Sequence, residues 1–90
     1  MYTPVYTKQF AKDVKRCQRR GNNLEKFKLL ARTLLAGRKP DPIHRDHKLT
    51  GNLIGRRDCH IESDWVLIYR VEDDRIIFER MGTHSDLFKK

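Results

Sequence analysis

The chain has 90 residues and carries 20 Lys and Arg against 12 Asp and Glu, a formal charge of +8. That length suits one domain, residues 1–90, and excludes a second domain or a deep enclosed ligand pocket. The positive surplus favours a polyanionic partner, nucleic acid first, with an anionic membrane or an acidic protein as other classes, while no apolar run approaches the roughly 20 residues of a membrane span.

The first ten residues lack the apolar centre of a secretion signal, so a cytoplasmic protein without a membrane segment is expected. Tyr2 to Tyr6 reads as a short strand. Thr7 then caps a helix whose inner face is Phe10, Val14 and Cys17 and whose outer face carries Lys8, Lys12, Lys15, Arg16 and Arg19, with Gly21 as its stop. Asn22, with Glu25 three residues on, predicts the cap of a second helix. Its apolar stripe is Leu24, Phe27, Leu30, Ala31, Leu34 and Leu35, ended by Gly37 and the prolines at 40 and 42. Asp46-His47-Lys48 reads as a polar loop, and the Gly51–Gly55 stretch as a short strand or turn. Arg57–Ile61, Trp65–Val71 and Arg75–Met81 are rich in β-branched and aromatic residues and predict three strands, with Asp73-Asp74 turning the last two into a hairpin. The expected architecture is α+β in two layers. The N-terminal strand and helical hairpin pack on one face of a small antiparallel sheet, and the other face stays open for a shallow site. Cys17 and Cys59 take inward positions and are expected as buried thiols rather than a disulfide.

The chemistry concentrates in the second half, which holds all four histidines. Histidine can give or take a proton near neutral pH. Asp58 and His60 are two apart on a strand and leave the same face, while Cys59 and Ile61 leave the other. Arg57 shares the core-facing parity and is expected at the strand's end, where its charge reaches water. Asp64 opens the next strand, and His84 follows the last one on a loop or short turn, so adjacent antiparallel strands bring His60 and His84 together with His47 arriving from the loop. RNA carries its own nucleophile, the 2′-OH. Its cleavage needs a base, an acid for the leaving 5′ oxygen, and positive charge around the phosphate. Two histidines with Arg or Lys meet that need, and no cofactor is expected. A zinc reading of His44, His47 and His60 lacks a fourth ligand, because Cys59 points away from His60. Trp65 and Tyr69 are expected in the packing, whereas Phe88, near the C-terminus, is a candidate for stacking on a base.

The stretches Asp46-His47-Lys48-Leu49-Thr50-Gly51, Arg57-Asp58-Cys59-His60-Ile61, Asp64-Trp65-Val66-Leu67-Ile68-Tyr69 and Arg80-Met81-Gly82-Thr83-His84-Ser85-Asp86-Leu87-Phe88 resemble the YafQ-type toxins of the RelE/ParE superfamily. The resemblance runs in order over nearly the whole chain. It implies a RelE-like fold and a bacterial type II toxin–antitoxin system in which the toxin cuts mRNA in the ribosomal A site without a metal. It carries His47, Asp58, His60, Asp64, His84 and Phe88 over as site residues, with His44 left out. It also implies an antitoxin partner, often with a ribbon-helix-helix end, that blocks the toxin and brings the complex to operator DNA. Arg56, Arg80, Lys48, Lys12 and Lys15 are the expected RNA contacts. Leu53 and Arg56 stand where related sequences often carry aromatics, so codon preference is expected to differ. Two other readings share the fold or the charge. One is a ParE-like toxin that poisons gyrase without these histidines, and the other is an RNA- or ribosome-binding module that does not cut.

Overall fold

In the computed structural model, residues 1–88 are described. They build one five-stranded sheet with two helices on one face. The strands are β1 (Thr3–Tyr6), β2 (His47–Lys48), β3 (Arg57–Glu62), β4 (Trp65–Glu72) and β5 (Arg75–Gly82), in the spatial order β1-β5-β4-β3-β2. The helices are α1 (Lys8–Arg19), α2 (Leu24–Leu35) and a last short one, α3 (His84–Leu87).

The core lies where the two apolar stripes meet the inner face of the sheet. Phe10 and Cys17 of α1 and Phe27, Leu30, Ala31 and Leu34 of α2 pack on Cys59, Ile61, Trp65, Leu67, Tyr69, Ile76, Phe78 and Met81. Thr7 caps α1 as expected, its hydroxyl accepting from the Phe10 N–H at 3.0 Å. The cap of α2 is Asn23 rather than Asn22. The reason lies in the end of α1. Gly21 takes φ +85°, its N–H donates to the Gln18 carbonyl, and the Asn22 N–H donates to the Cys17 carbonyl, each at 3.0 Å. That Schellman closure consumes Asn22 as the residue after the turn, so the next side chain caps the new helix.

Three further differences from the sequence reading have physical causes. β1 lies in the sheet, parallel to β5 (Thr3↔Arg75 to Tyr6↔Phe78), so the sheet is mixed and not wholly antiparallel. Pairing with another strand satisfies a strand's backbone groups all along one edge, and the edge of β5 is the one it reaches. His47-Lys48 is a strand, paired with Asp58 and Arg57, where a loop was expected. The Gly51–Gly55 stretch takes the second of its two expected forms, a turn, with Gly51–Leu53 a single 3-10 turn. Between Ile68↔Arg80 and Tyr69↔Phe78 the register slips by one, leaving Glu79 as a bulge. The bulge changes the phase of β5, so Phe78 and Met81, three apart, both enter the core at 0% exposure.

Past Phe78, β1 has ended and the edge of β5 would be bare. Side chains of the α1 segment finish it. The Thr7 hydroxyl donates to the Glu79 carbonyl at 3.0 Å, Arg16 Nη2 donates to the Met81 carbonyl at 3.2 Å, and Asp13 accepts the Met81 N–H at 3.0 Å. Asp13 is fully buried on the apolar stripe of α1, and Arg80 bends to the same edge to donate to it at 2.8 Å. Both cysteines are free and buried, and burial pushes the Cys59 thiol up to about 12. No helix among the described residues is long and apolar enough to cross a membrane.

Candidate active site

Strand alternation puts Asp58 and His60 on the sheet face opposite the helices. Register adds their neighbours: His47 lies across from Asp58, and His60 lies across from Val66, which in turn faces Gly82. This face is less open than expected, because Val66, Ile68 and Ile77 are buried on it at 0%, 2% and 6%. The row His60–Val66–Gly82 ends in a residue without a side chain, and the chain then turns through Thr83 into α3. His84, the first residue of α3, thereby comes back over the row to meet His60. Their ring centroids are 5.2 Å apart at 76°, and the Phe88 ring lies 6.1 Å beyond His84.

Each histidine is held by a different device. His84 is fixed by Asp64, whose Oδ1 accepts both its backbone N–H at 2.9 Å and its ring Nδ1–H at 2.6 Å. Nε2 is therefore the nitrogen of His84 left for other work. These two bonds, the backbone one first, hold the exposed Asp64 carboxyl below its ordinary range. His47 is exposed and donates Nδ1–H to the Arg45 carbonyl at 2.7 Å, which again leaves Nε2 free. His60 is the enclosed member, with a side chain 14% exposed and Nε2 standing 3.3 Å from Asp58 Oδ1. That carboxylate oxygen is buried and has no hydrogen-bond partner among the described residues. Burial is the largest influence on His60 and lowers its pKa from the ordinary imidazole value. Asp58 opposes the shift, while His84, Arg45 and His47 add to it. His44, left out by the family pattern, supports from below. Its Nδ1–H donates to the His60 carbonyl at 2.7 Å.

The expected site residues His47, Asp58, His60, Asp64, His84 and Phe88 thus converge. The expected RNA contacts divide. Lys48 is exposed beside His47. Arg56 is engaged instead by Glu79, which also binds Arg70. Arg80 is drawn to Asp13 at the sheet edge. Lys12 and Lys15 lie on the exposed side of α1, a helix packed on the face of the sheet that His60 does not share, so they do not join the histidines. Arg57 does not simply reach water. Its guanidinium donates to Asp46 at 3.1 and 3.2 Å, and the Tyr69 hydroxyl donates to the same carboxylate at 2.7 Å. That triad pins the start of β3.

Sequence reasoning missed Arg45. It takes a left-handed φ of 50°, which turns its carbonyl to His47, and its charge acts on His60. Among the described residues no carboxylate lies within ion-pair distance of its guanidinium. The signal was present in the sequence as a basic residue two before His47. Gly82 was also passed over. A Cβ there would lie 2.8 Å from Asp86 Oδ2 and 2.9 Å from Arg16 Nη2, so a side chain would push α3 off its seat.

Known proteins match this chain over nearly its whole length. The family described as bacterial toxin of type II toxin-antitoxin system, YafQ, matches residues 2–89. The mRNA interferase toxin YafQ of Escherichia coli K12 is 44% identical over 84 residues, 92% of this chain and 91% of that protein. The crystal structure of YafQ from E. coli BL21(DE3) superposes with a TM-score of 0.91 at 39% identity, covering 98% of this chain and 99% of the other. The toxin in the E. coli DinJ-YafQ complex gives 0.90 at the same identity and coverage.

Proposed function

Because the chain belongs to the YafQ family of bacterial type II toxins, we propose that it is an endoribonuclease, an mRNA interferase that cuts messenger on the ribosome with histidine acid–base chemistry. One observation carries this reading: the His60 and His84 rings stand 5.2 Å apart, each with a carboxylate beside it. That edge-to-face contact puts two titratable rings at one point of the surface, where a phosphodiester laid against their outer edges meets both an acid and a base.

The roles follow from the surroundings. His60 is the base, since burial lowers its pKa and so favours the uncharged ring. It takes the 2′-OH proton, and the 2′ oxygen attacks phosphorus to give a cyclic phosphate. The imidazolium so formed meets the unpartnered Asp58 oxygen, which stabilises the charge where it appears. His84 is the acid. Asp64 holds Nδ1–H and aims Nε2–H at the departing 5′ oxygen. The scissile bond breaks as that proton moves. Arg45 and Lys48 balance the charge that builds on the phosphate, His47 Nε2 is left to meet a group of the RNA, and Phe88 stacks on a neighbouring base. The nucleophile is the RNA's own, so the step needs no bound metal to generate one.

A cognate antitoxin is the partner, as DinJ is for the E. coli YafQ in its complex. We place this chain in the bacterial cytoplasm with the ribosome and the messenger, and read it as reaching operator DNA only through a ribbon-helix-helix antitoxin. Induced expression followed by mapping of mRNA 5′ ends tests the activity. New ends inside coding sequences support it, and arrested growth with intact messenger and DNA damage signalling rejects it.

The pH profile tests the roles. The acid limb of cleavage is expected below the ordinary imidazole value of 6.5, because activity requires neutral His60 and its pKa is lowered. Arg45→Ala removes a cation that lowers His60, so its limb moves to higher pH. Asp58→Asn removes an anion that raises it, so its limb moves to lower pH. Single-turnover rates over the pH range read both signs, and a limb that ignores both substitutions would remove His60 from the base role.

A further inference from the structure

The helix that carries His84 and leads to Phe88 cannot hold itself in place. α3 has four residues, far too few to be stable through its own hydrogen bonds. It is fixed through Asp86. That carboxylate accepts the Thr83 N–H at 2.9 Å, while the Asp86 N–H donates to the Thr83 hydroxyl at 3.1 Å, which closes the helix start. The same carboxylate receives both arms of the Arg20 guanidinium, Nη1 at 2.6 Å and Nη2 at 3.2 Å, with Arg16 Nε at 3.7 Å from Oδ2. Arg16 is itself tied to Asp13 at 3.0 Å and to the Met81 carbonyl at 3.2 Å. So the last turn of α1, on the core side of the sheet, reaches round the end of β5 and grips the element that supplies the acid.

We propose that Arg20 is a positioning residue for the cleavage reaction: its two-armed contact with Asp86, backed by Arg16, seats α3 so that His84 faces His60. The inference rests on the reading of His84 as the acid. A forked guanidinium suits the task because two parallel bonds fix an angle as well as a distance, which one ammonium cannot do. The end it grips is largely enclosed, with the Asp86 side chain 16% exposed, whereas Arg20 is 45% exposed. Arg20 is therefore expected to matter little to overall stability and much to alignment. Its other reading, as one more cation for RNA, conflicts with its donors being turned inward to a carboxylate.

The test compares the full chain with its Arg20→Ala and Arg20→Lys variants, with Lys28→Ala as a control for loss of an exposed ion pair. Cleavage kinetics on programmed ribosomes, amide exchange at Leu87 and Phe88, and the His84 ring signals are measured together. Those two amides donate to the Thr83 and His84 carbonyls at 3.1 and 2.8 Å and so report α3 directly. Arg20→Ala is expected to lower kcat on the order of ten- to a hundredfold, as misplacement of a reacting group does, with KM and its salt dependence little changed. Leu87 and Phe88 exchange faster and the His84 ring signals shift, while the melting temperature stays put. Arg20→Lys restores part of each, and Lys28→Ala moves none. A rise in KM with a weaker salt dependence and intact α3 protection would make Arg20 an RNA contact and overturn the proposal. Unchanged kcat and α3 protection, or a loss of protection spread evenly over the whole chain, would overturn it as well. If the parent chain cuts no RNA, the nuclease reading fails by itself, and the exchange and ring signals still decide whether Arg20 seats α3.

Discussion

His84→Ala is expected to lower the rate of mRNA cleavage by 10²–10⁴-fold, roughly what one general acid contributes, and to relieve growth arrest on expression. The fold should survive. The His84 side chain is 48% exposed and contributes nothing to the core cluster, and the helix start rests on Thr83 and Asp86 rather than on the ring. His84→Gln is the sharper companion. It keeps a polar group near Asp64 without a titrating proton, so it should bind ribosomes like the parent and still fail to cut. Circular dichroism and a melting curve separate loss of chemistry from loss of fold. A His84→Ala chain that cuts at the parent rate would remove the acid from the account.

The second large effect is on stability. Asp13 is fully buried and serves four donors: Arg80, Arg16, the Met81 N–H and Gln9. Burial alone would push its carboxyl up, but the bonds from Arg80, Met81 and Gln9 outweigh it and hold the group below its ordinary value. Asp13→Ala leaves the edge N–H of β5 unpaired and Arg80 without its counter-charge, while Arg16 keeps only the more distant Asp86. Breaking such a pair costs about 3 kcal/mol, and at this chain length each kcal/mol lowers the melting temperature by roughly 4–8 °C. The sign of the pH dependence follows from the lowered value. The stabilisation is present above the unfolded carboxylate pKa and is lost as pH falls through the folded one. The parent should therefore lose stability on acidification, and Asp13→Asn should start lower and lose less over the same range. Melting curves against pH check both, and equal acid slopes would contradict the role given to Asp13.

Much of the framework was legible because it is written in local patterns. The four- and three-residue spacing of Phe10, Val14 and Cys17 needs no tertiary information to mark a helix face. The apolar run Trp65–Tyr69 likewise marks a strand, and the parity of Asp58 and His60 put both on one face before any partner strand was known. What escaped depends on contacts between distant residues. β2 has two residues, too few to alternate, and exists only because β3 offers it an edge. The bulge at Glu79 comes from fitting Met81 and Phe78 into one core, and a single strand carries no sign of it. Asp13 sits on the buried stripe of α1, three after Phe10 and four before Cys17. A carboxylate there signals a partner across the core, but nothing in α1 names Arg80 or Met81. The site was more legible than the charges around it, since His47, Asp58, His60, Asp64, His84 and Phe88 do gather. Charge alone could not tell Arg45, which has no carboxylate beside it among the described residues, from Arg56 and Arg80, which the fold spends on Glu79 and Asp13.

The central claim is that this chain cleaves RNA through the RNA's own 2′ oxygen, with His60 and His84 moving the protons. The most direct measurement programs ribosomes with a messenger in which the nucleotide 5′ to the cut carries 2′-hydrogen in place of 2′-OH, alongside the unmodified messenger. The account predicts cutting of the unmodified strand to a cyclic or 3′-phosphate end, with the substituted position left intact. Cutting of the substituted messenger at the same position would contradict it.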